Sequence, residues 1–361
     1  MATIRDVAKM SGVSTATVSN VLNARNDRVS LETREKVLAA VRALKYRPTA
    51  LEQNQKAILT QNVGVMVPDL TQSPLLRHAY FTAILDGVVE VAAFRGWSVT
   101  IFVHNMWDDV GHAIRRSYDG RCDGLIVIAP QPGHEVVQTL HERGTPLMLV
   151  GTTPWLPHVS SVDIDNVATG RIVAEHMLAL GHRRFAYAAE LKEHVSSQER
   201  ARGFQSAVCE AGGEYVRLTA KEGPEIKELA ERIVAMGDDR PTAFFGWHDT
   251  FALRLMEALQ AHGLRAPEDF SVAGVNDTVD GREAKPALTT VNNPLGLIGR
   301  HAATRFLDRL TSGTATDTEE IVRFAPELIV RASTGPAPIA LVTRSRRISQ
   351  LALGTNGGSF Q

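Results

Sequence analysis

The chain opens with two short helical stripes. Ile4, Val7 and Ala8 recur at the spacing of one helical face, with Thr3 ahead of them as a cap and Asp6 near the positive end. Ser11-Gly12 breaks the stripe, because glycine supplies the positive φ of a tight turn. Ser14 then caps a second helix whose Val18, Val21 and Leu22 form the apolar side. Thr15, Ala16 and Asn20 fall at its start and on its exposed side. The pattern predicts a helix-turn-helix, although an ordinary αα-hairpin has the same turn and capping chemistry. Ser30 caps a third helix, with Val37, Leu38, Val41 and Leu44 closing a small core. Tyr46-Arg47-Pro48 ends it, since the residue before proline is pushed out of the α region.

After residue 61 the period changes. Short apolar runs at Val63–Val67, Val99–Val103, Leu125–Ile128 and Leu147–Val150 read as buried strands, with a helix marked by Phe81, Ile84, Leu85, Val88 and Val91. The second half repeats the scheme: helix 166–180, strand Phe185–Ala188, helix 198–211, strand Ala243–Phe245, helix 249–262, strand Ser271–Val275 and a late helix at 294–310. Such alternation argues for parallel sheets of doubly wound type. The expected fold class is an all-α helix-turn-helix headpiece followed by an α/β core of two doubly wound lobes. The headpiece spans 1–48, a polar linker 49–61, the core 62–335 and a flexible tail 336–361, where Leu351 and Leu353 make no heptad.

Charge sharpens this division. The 361 residues carry a formal net charge of −1. Residues 1–60 hold ten basic against five acidic side chains, a net of +5, which leaves −6 on the rest. A basic module on an acidic body suits attraction to phosphate. Cys122 and Cys209 are far apart and read as inert thiols in a reducing compartment. The scattered histidines have no metal-ligand spacing, so neither a metal nor a cofactor is expected. No signal segment and no apolar run of about 18 residues is present, which predicts a cytoplasmic protein without a membrane partner.

The elements Thr3-Ile4-Arg5-Asp6-Val7-Ala8, Gly12-Val13-Ser14, Thr17-Val18-Ser19 and Val21-Leu22-Asn23 together closely resemble the headpiece of the lactose-repressor/galactose-repressor family of bacterial transcription regulators. The likeness continues more loosely to about residue 335. It implies a homodimeric regulator, most often a repressor, that reads a pseudo-palindromic double-stranded operator under control of a small-molecule effector. Thr15, Ala16 and Asn20 then become base-reading candidates, as expected of a recognition helix, and Ser14, Thr17, Asn23, Arg28 and Tyr46 backbone contacts. In this family the linker folds on the operator, enters the minor groove and wedges a leucine into the central step. Ala50, Gln55 and Lys56 occupy that hinge here, and Gln55 stands at the wedge position, where an amide unstacks bases less favourably than leucine.

The same resemblance implies a core like the hinged periplasmic sugar-binding fold. One lobe would take roughly 62–163 with 292–321, the other 164–291 with 322–335. In open α/β sheets ligands bind beyond the carboxyl ends of strands, here expected in the cleft between lobes. Effector candidates by family position are Tyr80, Phe81, Ser196, Arg200, Phe245, Trp247, His248, Asn276 and Asn293. Arg200, in Arg-Ala-Arg-Gly-Phe, matches the arginine that clamps effector oxygens. Trp247 reads equally as packing or as a stacking face for a sugar, and His248 either binds or orients. Asn276 and Gly151 stand where relatives often carry carboxylates. Fewer acceptor oxygens and more aromatic surface suit a ligand of acidic or apolar character.

Two other classes compete. The core alone would suit a transport-type binding protein, against which the headpiece and the missing signal segment both count. An enzyme is disfavoured because no GxSxG, HExxH or GxxxxGK[ST] occurs and no local catalytic signature surrounds the Asp, His or Ser residues.

Overall fold

A computed structural model of the chain describes residues 3–22, 29–44, 59–67, 79–102, 121–190, 194–221, 224–312 and 319–338. The chain divides into two compact units, Met1–Asp163 with Leu295–Val322 and Ile164–Pro294 with Arg323–Gln361, so it passes between them after Asp163, Pro294 and Val322.

The first unit begins with three helices, α1 (Ile4–Ser11), α2 (Thr15–Leu22) and α3 (Leu31–Ala43). Each alone is too short to be stable in water, so shared burial must hold them. Val7 and Ala8 of α1, Val18, Val21 and Leu22 of α2, and Val37, Ala40 and Val41 of α3 supply that common core. All three caps expected from the sequence form. Thr3 and Asp6 make a reciprocal capping box. The backbone N–H of Thr17 donates to Ser14 Oγ at 3.0 Å, and that of Thr33 to Ser30 Oγ at 3.3 Å.

The rest of this unit is a six-stranded sheet flanked by helices. Its strands are β1 (Asn62–Met66), β2 (Ser98–Phe102), β3 (Gly124–Ile128), β4 (Leu147–Val150), β5 (Ser160–Ile164) and β11 (Ile321–Phe324), in the order β11-β5-β4-β3-β1-β2. The pairs from β2 across to β5 are parallel. Helices α4 (Ala79–Phe94), α5 (Glu135–Glu142) and α11 (Leu295–Ser312) complete the unit. Val103, expected within β2, lies outside the described residues.

The second unit repeats the plan. Strands β6 (Arg184–Ala189), β7 (Glu214–Thr219), β8 (Ala243–Gly246), β9 (Ser271–Val275), β10 (Thr289–Asn292) and β12 (Glu327–Ile329) are ordered β12-β10-β9-β8-β6-β7. Only β12 runs antiparallel to its neighbour among the described pairings. Helices α6 (Asn166–Ala179), α7 (Val195–Glu210), α8 (Pro224–Ala235), α9 (Asp249–Ala261) and the short α10 (Val279–Glu283) connect them. Helix α7 starts at Val195, three residues before the expected 198, because the His194 ring caps it by accepting from the Ser196 N–H at 3.2 Å.

In both sheets the first strand lies between the second and third, so the winding direction reverses between β1 and β3 and again between β6 and β8. Ligands of doubly wound sheets bind outside the strand ends at such a reversal. In the second unit the loops beyond β6, β8, β9 and β10 therefore stand in one row.

Candidate functional site

The headpiece offers one exposed face. Gly12 closes α1 in the left-handed conformation (φ 69°), and its N–H donates to the Ala8 carbonyl. That turn releases the chain into α2. Ser14, Thr15 and Ala16 are exposed, Thr17 and Asn20 are half-buried, and Val18, Val21 and Leu22 face inward. Ser14 Oγ is already engaged as cap and lies 2.9 Å from Thr17 Oγ1. Asn23, Arg28 and Tyr46, expected on the DNA backbone, and the hinge residues Ala50, Gln55 and Lys56 lie outside the described residues.

In the second unit, the candidates follow four neighbouring strands. Ser196 and Arg200 lie on α7 after β6, Trp247 and His248 follow β8, Asn276 follows β9 and Asn293 follows β10. Arg200 is only 7% exposed, and its Nη1 donates to Asn166 Oδ1 on α6 at 2.6 Å. Its Nε is buried with no acceptor. Two glycines bring these helices together. A Cβ on Gly170 would collide with the Arg200 carbonyl, and one on Gly203 with the Val167 carbonyl. The close crossing seats Arg200 against Asn166.

Trp247 is half-buried against both core clusters of this unit, and its Nε1 is buried without an acceptor. The indole stacks obliquely on His248, with ring centroids 4.0 Å apart. The His248 ring is held in place: its Nδ1 accepts from the Phe251 N–H at 3.0 Å and caps α9. Asn293 is 6% exposed, and its Oδ1 has no donor, while its Nδ2 donates to Asn276 Oδ1 at 3.4 Å.

Asn276 and Asp277 both adopt positive φ, 108° and 48°, an uncommon conformation for residues other than glycine. Neighbours fix this corner. Asp249, wholly buried, accepts from the Thr278 N–H at 2.8 Å, the Thr278 hydroxyl at 3.1 Å and the Thr290 hydroxyl at 2.6 Å. Burial pushes its carboxyl up to about 6, against those hydrogen bonds, which favour the carboxylate. Asp277 goes the other way. Burial raises it, but hydrogen bonds from Arg282 and Arg331 outweigh burial and hold its carboxyl below the usual range.

Phe245 ends the apolar part of β8. It is 0% exposed, with its ring edge-on to Tyr187 and tilted against Phe204, each at 5.3 Å. Its ring packs within the core cluster of this unit, next to the half-buried Trp247. The residues that sequence reasoning missed are Asn166, Gly170, Asp249 and Asp277. Only Gly203 carried a signal, through its place in the Arg-Ala-Arg-Gly-Phe segment.

In the first unit, Tyr80 and Phe81 open α4 and meet edge-to-face at 5.2 Å. Gly151, at the end of β4, has φ 72°, and a Cβ there would run into the Tyr80 hydroxyl. The tyrosine thus occupies the space that a side chain at 151 would need. Among the described residues no group of three metal-ligating side chains assembles, and no helix is long and apolar enough to cross a membrane.

A capped helix-turn-helix on one chain with two open α/β units defines a DNA-binding transcriptional regulator with a sensor core. The family model described as bacterial regulatory proteins, lacI family, matches residues 3–49. A periplasmic binding protein-like domain model matches residues 174–334. The HTH-type transcriptional repressor PurR of Vibrio vulnificus (strain CMCP6) is 33% identical over 339 residues, covering 92% of this chain and 98% of that one. PurR of Haemophilus influenzae (strain ATCC 51907 / DSM 11121 / KW20 / Rd) is 31% identical over 341 residues, with the same coverage. Among solved structures, the transcriptional regulator CelR–cellobiose complex is 30% identical with a TM-score of 0.69, covering 92% of this chain and 100% of that one. The lac repressor dimer bound to operator and the anti-inducer ONPF is 25% identical with a TM-score of 0.66, covering 92% and 99%. The chain belongs to the lacI family of bacterial regulatory proteins.

Proposed function

We propose that the chain acts as a cytoplasmic homodimeric repressor, without catalytic activity, whose two headpieces read the half-sites of a pseudo-palindromic operator. Thr15, Ala16 and Asn20 read bases, and Ser14, Thr17, Asn23, Arg28 and Tyr46 hold the DNA backbone. Ala50, Gln55 and Lys56 meet the minor groove. The effector, a sugar or sugar derivative, is contacted by residues drawn from Tyr80, Phe81, Ser196, Arg200, Phe245, Trp247, His248, Asn276 and Asn293. His248 either binds the effector or orients Trp247, whose ring it meets at 4.0 Å. Effector binding and operator binding are coupled, so each changes the other's affinity by the same factor.

The observation that carries this reading is the exposed Thr15–Ala16 start of a capped α2, on a chain matched over 92% of its length to repressors. The test is selection from randomised DNA followed by gel shift. Wild type should return a pseudo-palindrome, and Asn20→Ala should relax one position of each half-site by about 1–3 kcal/mol. With +5 on each headpiece, affinity should fall roughly 10³–10⁵-fold between about 50 and 200 mM salt if 6–10 phosphates are contacted. Failure to enrich any site, or a flat salt dependence, would refute it.

A further inference from the structure

The helix pair α6–α7 carries two cross-helix arginine contacts of opposite character. On the exposed side, Arg171 of α6 meets Glu210 of α7 through two hydrogen bonds of 2.9 and 3.0 Å, an arginine answered by a carboxylate. On the buried side, Arg200 of α7 meets only the neutral amide of Asn166 on α6 and the neutral phenol of Tyr187. The order is the reverse of what solvation favours. Water screens the exposed charge, whereas a buried charge needs a counter-ion and full hydrogen bonding.

Among the described residues no ion pair joins a carboxylate to Arg200, whose side chain donates to Asn166. Asp249 is turned to Thr278 and Thr290. Asp277 is taken by Arg282 and Arg331. Glu190, just beyond β6, is engaged in an interaction of its own. Asn276 contributes an amide. The guanidinium also keeps an unmet donor at Nε, and the same row keeps a second at Trp247 Nε1 and an unmet acceptor at Asn293 Oδ1. Buried polar groups in folded proteins are nearly always paired, so three orphans in one row point to an absent partner.

We infer that the effector carries an acidic group, a carboxylate or a phosphate, which serves as the counter-ion of Arg200 while its polar body satisfies Trp247 and Asn293. The inference rests on reading this row as the effector site. A planar guanidinium accepts either acid through parallel hydrogen bonds. An uncharged sugar would leave the buried cation without a counter-charge.

The test is thermal denaturation and calorimetric titration of the full chain at fixed ionic strength. D-gluconate and D-glucuronate present a carboxylate, and inorganic phosphate and D-glucose 6-phosphate a phosphate. D-glucose, cellobiose and sodium chloride are the uncharged and salt controls. At least one acid should raise the Tm where the controls do not. Arg200→Gln should abolish the shift and Arg200→Lys retain part of it. Asn166→Asp, which places a carboxylate at the atom already bonded to Arg200, should weaken the acid about tenfold or more and leaves the protein foldable should Arg200→Gln fail. The inference is overturned if no acid exceeds the controls, if its shift survives both Arg200→Gln and Asn166→Asp, or if a neutral sugar binds more tightly than its acid. Gel shifts separate the two readings. A response to neutral sugar alone keeps the regulator and removes the acid, whereas an acid bound through Arg200 with no effect on operator binding keeps the anion site and removes its effector role.

Discussion

Phe245 and Trp247 stand two residues apart, one wholly buried inside β8 and the other half-buried just past its end. Phe245→Ala should cost about 3–5 kcal/mol of stability, as other buried aromatic truncations do. Trp247→Phe should leave the fold intact and weaken the effector by removing the Nε1 donor. Chemical denaturation beside effector titration distinguishes them, and an unchanged affinity in Trp247→Phe would remove Trp247 from the site. Asp249 gives a prediction of a different kind. Its carboxyl rises from the ordinary 3.8 to about 6 in the folded chain, so the native state holds this proton more tightly than the unfolded one. Its stabilising contribution is therefore full at low pH and is lost as pH rises through about 6. Asp249→Asn should flatten that part of the profile in melts between about pH 4 and 7. Equal slopes in the two proteins would contradict the burial argument.

At the level of elements, two glycines separate local strain from packing. Gly12 has φ 69°, and nothing lies within 4 Å of the place a Cβ would take, so Gly12→Ala should cost only the left-handed penalty, roughly 1–2 kcal/mol. Operator binding should weaken while effector binding stays unchanged. At Gly203 a Cβ would strike the Val167 carbonyl, so Gly203→Ala must part α6 from α7 and move Arg200. Effector affinity should fall, with operator binding in its absence preserved. An effector affinity equal to wild type would show that the glycine crossing does not position Arg200. The same contrast of local against distant governs what is legible in the sequence. The caps of α1, α2 and α3 are legible because cap and helix are neighbours in sequence, and β4 because it is a continuous apolar run. Strand β5, Ser-Ser-Val-Asp-Ile, is wholly buried yet looks polar. Its Ser160 hydroxyl accepts from the Glu320 N–H, 160 residues away. Strand β10 hides likewise, because its Thr290 hydroxyl is consumed by Asp249. Arg200 is visible through its motif, but nothing local joins it to Asn166, 34 residues earlier.

The whole molecule uses one joint twice. After each of the first two passages between units, the next helix, α6 or α11, packs through glycines on the helix that follows its unit's first strand. Gly170 and Gly203 serve α6 and α7. Gly299 lies against the Ile84 carbonyl of α4, and Gly87 against the Gly296 carbonyl of α11. This interleaving bears on the order of synthesis. The headpiece core draws only on residues between Ile4 and Leu44, so it is complete soon after leaving the ribosome. The first α/β unit still lacks α11 and β11 until the second has been made, and must wait with the α4 face uncovered. A premature stop before residue 295 would leave that face permanently bare in a chain whose DNA-binding head is finished. The DNA-binding head is thus finished before the α/β unit that follows it can close.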